Sequence, residues 1–365
     1  MLTYPIPMVP GPVRVPQAVL EAYGVDYGSG DLEAEFLERY CRCEAKLQTL
    51  LQTHNRVVIQ SGEGMIALWS ALKSCLVSGD RVLALATGLF GEGIGEMASN
   101  VGAEVKTVSF GFEETLSDWD RIEEAIVSFA PKMITAVHCE TPSGTLNPLA
   151  ELGKMKERHG VPLLYVDAVS SIGGTPVPVD AWHIDLCLGG SQKCLSSIPD
   201  TAFVCVSEAA WEAVDAVGYT GYDALKPFRE VHRTGYFPYT PNWHGTAGLD
   251  VGAQLILDEG LEASYRRHEA CARRCRQLLL DAGIELFPAE GAVPSPTVTA
   301  ARLPASLNWE DFDGACRKQG LVLGGNYGPL AGKIFRLGHM GSQADPELVE
   351  RAVAVIRSVL ENAEG

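Results

Sequence analysis

The sequence is short of several things, and each shortage narrows the function. No stretch of about 18 residues is uninterruptedly apolar, the length a membrane-spanning helix needs. Met1-Leu2-Thr3-Tyr4-Pro5-Ile6-Pro7 carries no basic segment and no long apolar run, so no secretory leader is expected. Basic residues are outnumbered, 29 Lys and Arg against 46 Asp and Glu, for a net charge of −17. That balance argues against nucleic acid or an anionic membrane as partner. The ten cysteines include no CxxC pair. Cys139, Cys187, Cys194 and Cys205 lie in or beside apolar runs, where a reduced thiol acts as a small hydrophobe. A reducing cytoplasm and no metal site are expected. The dinucleotide fingerprint GxGxxG is not met either: Gly91, Gly93 and Gly95 are spaced GxGxG, which argues against a nicotinamide site.

What is present suits a globular enzyme. With 365 residues, 46% hydrophobic and 21% charged, the chain can bury a full core in about two domains of the usual ~150 residues. Apolar, β-branched runs recur at Val57–Gln60, Arg81–Leu85, Met133–Val137, Leu163–Val166 and Ala202–Val206, with helical patterns such as Met65–Leu76 and Leu149–His159 between them. Strands separated by helices imply parallel pairing with right-handed crossovers, and near-continuous apolar strands imply a sheet covered on both faces. After about residue 245 the pattern becomes a long helical stretch, Gly248–Ala282, broken near Glu259-Gly260. Short strands follow around Pro296–Arg302 and Lys333–Leu337, then an amphipathic helix, Pro346–Leu360. The expectation is a large α/β domain over residues 1–245 and a smaller α+β domain over residues 246–365.

Five segments carry chemistry. Lys193, in Gly189-Gly190-Ser191-Gln192-Lys193-Cys194, follows an apolar strand. It is either a solvated strand-end lysine or a desolvated amine able to form a Schiff base. Asp167 ends another apolar strand, at the edge where an open α/β sheet presents ligands. It either caps a turn or pairs with a protonated ring nitrogen. Gln60-Ser61-Gly62-Glu63-Gly64-Met65 joins a strand to a helix start, whose free N–H groups suit an anion. Phe90, in Thr87-Gly88-Leu89-Phe90-Gly91, either fills a core or stacks on a flat ring. Arg336 is embedded in an apolar strand and needs a partner: an internal acid, or a substrate carboxylate held by its fork.

These segments, in this order, resemble the class V aminotransferases, fold type I enzymes that use pyridoxal 5′-phosphate (PLP). The subgroup is that of the alanine–glyoxylate, serine–pyruvate and pyridoxamine–pyruvate aminotransferases. The similarity runs from Val9-Pro10-Gly11-Pro12-Val13 to Gly338-His339-Met340-Gly341 and is most specific at Ser191-Gln192-Lys193, Val166–Ser171 and Arg336–Gly341. It implies a mostly parallel seven-stranded sheet in the large domain. It implies Lys193 as Schiff-base lysine and proton shuttle, Asp167 on the pyridine nitrogen, and Phe90 on the ring face. Gln192, with backbone groups at Glu63, Gly64 and Met65, would hold the phosphate, and Thr141 or Ser143 would reach the ring hydroxyl. Thr240 would contact the phosphate of a neighbouring subunit in a homodimer. Arg336, with Pro10 and Gly11, would bind the substrate. The implied activity moves an amino group from an L-amino acid of alanine or serine type to a small 2-oxo acid such as glyoxylate or pyruvate.

One residue departs from that pattern. The family turn commonly has Ser where Glu63 stands, and a carboxylate beside a phosphate is repulsive, by about 1 kcal/mol at 4 Å even in water. Either Glu63 turns away to cap the helix, or the site takes the vitamin without its phosphate. Pyridoxamine–pyruvate aminotransferases, for which free pyridoxamine and pyridoxal are substrates, resemble this chain in a Gly-Glu turn at that place. They differ in having a second arginine near Gly324-Gly325-Asn326-Tyr327-Gly328. Related folds also include lyases and cysteine desulfurases, but Cys194, adjoining Lys193, is a poor candidate for a mobile nucleophile.

Overall fold

The computed structural model describes residues 4–364. Its strands, in chain order, are β1 (Ile6–Met8), β2 (Arg56–Ser61), β3 (Arg81–Ala86), β4 (Glu104–Ser109), β5 (Met133–Val137), β6 (Cys139–Glu140) and β7 (Thr145–Leu146). They continue with β8 (Leu163–Asp167), β9 (Leu186–Gly190), β10 (Thr201–Val206), β11 (Val298–Arg302), β12 (Leu321–Leu323) and β13 (Ile334–Gly338). Seven of them form the central sheet in the order β2-β10-β9-β8-β5-β3-β4. β10 runs antiparallel to both its neighbours, and β9, β8, β5, β3 and β4 are mutually parallel.

The inner strands β5, β8, β9 and β10 are buried along their whole length, which is why they read as unbroken apolar runs. β4 is different. Its sequence Glu-Val-Lys-Thr-Val-Ser lies at the sheet edge, with half its residues exposed, where charged side chains discourage further pairing. One apolar cluster covers each face of the sheet. One contains Phe36, Tyr40, Leu83, Leu164 and Phe203, and the other Leu68, Leu72, Tyr165, Leu188 and Trp211.

A third core gathers the C-terminal part around Cys275, Phe312, Phe335, Val349 and Ile356. It includes Ile6 and Met8, because β1 pairs in parallel with β12. β11 pairs with β13, and a bridge between Gly324 and Arg336 joins the two small sheets. The helix Trp243–Glu259 ends at Gly260, where φ of +88° breaks it from the next helix, Leu261–Asp281. From β1 on the C-terminal core, the segment Val9–Val13 leads past Lys193 and Gln192 before the chain builds the central sheet.

Register sets the site. Val137, Asp167 and Leu188 lie side by side at the carboxyl ends of β5, β8 and β9. Glu140, Asp167 and Lys193 all emerge at that end, and the turns after β2 and β3 bring Glu63 and Phe90 to it. Ligands bind outside the carboxyl ends of strands in open α/β sheets.

Candidate active site

Asp167 is 6% exposed. One carboxylate oxygen, Oδ1, accepts the N–H of Val169 at 2.9 Å. Burial raises its pKa to about 6, against which the Val169 N–H and the charge of Lys193 pull downward. A buried carboxylate at a strand end, with its second oxygen lacking a hydrogen-bond partner among the described residues, is suited to a cationic N–H.

Lys193 sits one turn beyond β9. Its Nζ donates to the carbonyl of Pro10 at 2.7 Å, and its pKa is lowered by burial first and by the nearby Arg336 charge second. No carboxylate lies within ion-pair distance of its amine among the described residues. An amine held on a backbone carbonyl, with its pKa lowered by burial, favours the desolvated reading over the solvated one.

Gly11 makes the approach of Lys193 possible. Its φ is +96°, and a β-carbon there would stand 2.7 Å from Nζ. Arg336 is 4% exposed, donates Nε to the carbonyl of Gly325 at 2.8 Å, and lies 5.1 Å from the ring centre of Tyr327. Burial lowers its pKa as well, and it takes part in no ion pair among the described residues. The internal acid is missing, so the guanidinium is left for a carboxylate from outside the chain.

The remaining expected residues divide into those the fold gathers at the site and one that borders it. Glu63 is the N-cap of the helix Gly64–Cys75: its Oε1 accepts the Met65 N–H at 3.1 Å. The side chain does not turn away, because its Oε2 accepts Gln192 Nε2 at 3.3 Å. Gly64 packs on Val169, and a β-carbon on Gly190 would stand 2.7 Å from the Gln192 carboxamide oxygen. That oxygen is buried without a partner among the described residues.

Thr141 Oγ1 lies 2.6 Å from Ser170 Oγ, beside the Asp167 turn. Ser143 is engaged inside its own hairpin with Thr145 Oγ1 and the Glu140 carbonyl. Phe90 is half-buried in the first turn of the helix Leu89–Asn100. Pro10 lies against Lys193 and Gly338 of β13, and Gly11 against Lys193. Thr240 is exposed on a loop beside Tyr239 and Pro241 and shares no hydrogen bond with the others, but it lines a pocket together with Ser61 and Ile66 of the Glu63 turn.

A half-buried lysine of lowered pKa, a strand-end aspartate and an unpaired arginine lie close enough for both charges to act on the lysine. That is the donor set for a pyridine ring and an amino or oxo acid. A family model for aminotransferase class-V matches residues 10–328. The chain belongs to the class V aminotransferases.

An uncharacterised aminotransferase of Methanocaldococcus jannaschii is 35% identical over 95% of this chain and 91% of its own. An alanine–glyoxylate aminotransferase of Oryctolagus cuniculus is 30% identical over 97% of this chain and 92% of its own. The crystal structure of pyridoxamine–pyruvate aminotransferase from Mesorhizobium loti superposes with a TM-score of 0.94 at 30% identity, covering 99% of this chain and 93% of that one.

The family implies PLP, and the ring end of this site fits a pyridine. The other end presents acceptors rather than cations to a phosphate. Its two nearest side-chain acceptors, the Glu63 carboxylate and the Gln192 carboxamide oxygen, face no cation among the described residues, and the Met65 N–H a phosphate would use is already taken. Cys194 is buried, with its thiol pushed up to about 12, which removes it as a sulfur nucleophile. Glu140 went unread in the sequence, although it adjoins the Thr-Pro-Ser-Gly turn. It is fully buried and accepts from Gly91 N–H at 2.7 Å and Phe90 N–H at 3.3 Å.

Proposed function

We propose that this class V aminotransferase exchanges an amino group between an unphosphorylated pyridoxyl compound, pyridoxamine or pyridoxal, and a small 2-oxo or amino acid of the pyruvate–alanine kind. The observation that carries the choice is the placement of Glu63. Its carboxylate and the orphaned Gln192 oxygen are acceptors, and acceptors ask for a donor. A 5′-hydroxyl is a donor, and a phosphate dianion is not. Glu63 is exposed, so solvent screens the repulsion, and a like charge about 4 Å away disfavours the phosphate by about tenfold. The similarity to a solved pyridoxamine–pyruvate aminotransferase supports the same reading.

The pyridine ring, when bound, supplies a sink for the charge left when a proton leaves the carbon bearing nitrogen. The chain supplies the rest. Asp167 pairs with the ring N–H, and Phe90 stacks on the ring. Arg336 holds the carboxylate of the amino or oxo acid and so presents its α-carbon to Lys193. The Lys193 amine, neutral more readily than an exposed lysine, takes the proton from one carbon and returns it at the other. We place Thr240 at a boundary with a second copy, supported by the exposed Tyr222, Tyr236 and Tyr239 around it.

A second reading keeps PLP as resident cofactor, with an alanine- or serine-type donor and glyoxylate as acceptor. It is favoured by the alanine–glyoxylate relative, and by Gln192 and the Met65 amide, which become phosphate donors if Glu63 swings outward. Absorption titration separates the two. Pyridoxal is expected to turn the protein yellow at concentrations at least tenfold below those PLP requires, with Glu63→Ser reversing the preference. Purified protein that is already yellow and releases stoichiometric phosphate on denaturation overturns the first reading in favour of the second.

A further inference from the structure

We infer that Glu140 is a positioning residue for the ring-stacking Phe90, acting as an N-cap supplied to the helix Leu89–Asn100 from a different part of the chain. The inference rests on Phe90 facing the ring, and holds for either form of the vitamin.

The helix lacks a cap of its own. Its N-cap residue is Gly88, which has no side chain to offer, so the first N–H groups must be satisfied from elsewhere. Glu140 reaches them from about 50 residues away, bridging Phe90 N–H at 3.3 Å and Gly91 N–H at 2.7 Å, one oxygen to each. The glycines make room for it. A β-carbon on Gly88 would stand 2.7 Å from the Glu140 carboxyl carbon, and one on Gly91 3.3 Å from Oε1.

The same hairpin holds the turn at a second point. Asn147, just past β7, donates from Nδ2 to Thr87 Oγ1 at 2.7 Å and to the Val137 carbonyl at 2.8 Å. Its Oδ1 accepts from Leu116 N–H. The chain from Thr87 to Gly91 is thus pinned at both ends by one β-hairpin. That hairpin also carries Thr141, bonded to Ser170 near Asp167, and Pro142, whose carbonyl accepts from Asn326 of the C-terminal part at 2.7 Å.

A fully buried carboxylate is an expensive cap. Burial pushes Glu140 up to about 8, with the charges of Asp167 and Glu92 acting in the same direction. A serine or aspartate at position 88 would cap the helix without burying a distant carboxyl group. What Glu140 provides, and a local cap would not, is a fixed relation between the stacking ring and the strand ends that carry Asp167 and Lys193.

The test is a double-mutant cycle between Glu140→Gln and Phe90→Ala, read by affinity for pyridoxal and for PLP and by the circular dichroism of the bound ring. Glu140→Gln keeps one accepting oxygen and the volume. It is expected to weaken ring binding by about 3- to 10-fold and shrink the ring's dichroism, while the KM for pyruvate or glyoxylate stays within twofold. In the Phe90→Ala background the same change is expected to have no further effect. Thermal melting of the ligand-free protein shows that each variant is folded, and Glu140→Asp serves if the Gln variant is not.

Unchanged ring affinity and dichroism in a folded variant overturn the inference. So do additive losses in the double mutant, or an equal rise in the KM of every substrate. Wild-type protein that binds neither pyridoxal nor PLP overturns the inference and the reading of the site together. Wild-type binding with an indifferent Glu140 overturns the inference alone.

Discussion

The Lys193 amine is held by a backbone carbonyl, that of Pro10, at 2.7 Å. A carbonyl accepts a hydrogen bond without adding a formal charge, so it orients the lysine without fixing it as a cation. The strand of chain that does this is itself pinned. Gln343 donates to Val9 O and accepts from Arg14 N–H, and Val13 N–H donates to Gln192 O. Gly11→Ala places a β-carbon among the terminal atoms of Lys193 at a φ of +96°. The variant is expected to fold, because the strain sits on a surface-crossing segment, and to lose at least 100-fold in kcat, measured by steady-state turnover with pyruvate or glyoxylate. Turnover within threefold of wild type would show that Lys193 does not occupy this position during the reaction.

The charge of Arg336 lowers the pKa of Lys193, second only to burial. Two consequences are expected from Arg336→Leu. The KM for the 2-oxo acid rises by about 10- to 100-fold, the range for losing a charged hydrogen-bonding fork. The acidic limb of the kcat profile, which reports loss of the proton that frees the Lys193 amine to act as base, moves to higher pH. Lys193→Ala is expected to abolish turnover and remove the limb. A limb that stays fixed in Arg336→Leu would assign it to another group.

Asp167 opposes the stability of the fold it serves. Its carboxyl is raised from 3.8 to about 6 by burial, so the folded state holds a proton that the unfolded chain releases. The resulting penalty is absent below pH 3.8, grows between 3.8 and about 6, and is constant above. Asp167→Asn, which can still accept from Val169 N–H, is therefore expected to stabilise the ligand-free protein at pH 8 by at most about 3 kcal/mol and to leave it unchanged near pH 3.5. It is also expected to cost at least 100-fold in turnover. Urea unfolding at the two pH values checks the sign, and destabilisation at pH 8 would refute it.

Much of this was legible in the sequence for a physical reason. Strands buried on both faces must be apolar, so β5, β8 and β10 stood out, and charged or polar residues at their ends (Asp167, Lys193) stood out against them. β4 did not, because an edge strand is polar. β1 and β12, three residues each, are too short for any periodicity. The pairing of β1 with β12 joins residues more than 300 apart, which no local pattern records. The direction of Glu63 was undecidable for a related reason: capping by one oxygen leaves the other free, and only the position of Gln192 across the turn settles it. Glu140 was hidden because its partners are backbone N–H groups, which leave no mark in sequence.

Three buried histidines should make the protein sensitive to mild acid. His138 and His339 are lowered to about 3 and His268 to about 4, in each case first by burial. His268 shows why the neutral form is built in. Its Nδ1 lies 2.7 Å from the Ser264 carbonyl and so carries the proton, leaving Nε2 to accept the Gly341 N–H at 2.9 Å. A second proton would set two donors against each other at the end of β13. His339 is placed alike, between the Pro296 carbonyl and Thr299 Oγ1. For a histidine with depressed folded pKa, the stability is fully present above the unfolded value near 6.5 and is lost as pH falls toward the folded value. Each contributes a slope of about 1.4 kcal/mol per pH unit within that window, and three together about 4 kcal/mol per unit below pH 6. Over the same range Asp167 and Glu140 act in the opposite sense, because the folded state holds their protons as well, which reduces the net slope. With two of the three slopes offset, stability and with it the melting temperature are expected to fall between pH 6 and 4.5 with about the slope of a single histidine, about 1.4 kcal/mol per pH unit. His268→Gln is expected to start lower at pH 7.5 and to fall less steeply. Equal slopes for the variant and wild type would mean that His268 is protonated in the fold, and that Gly341 is held by something other than its ring nitrogen.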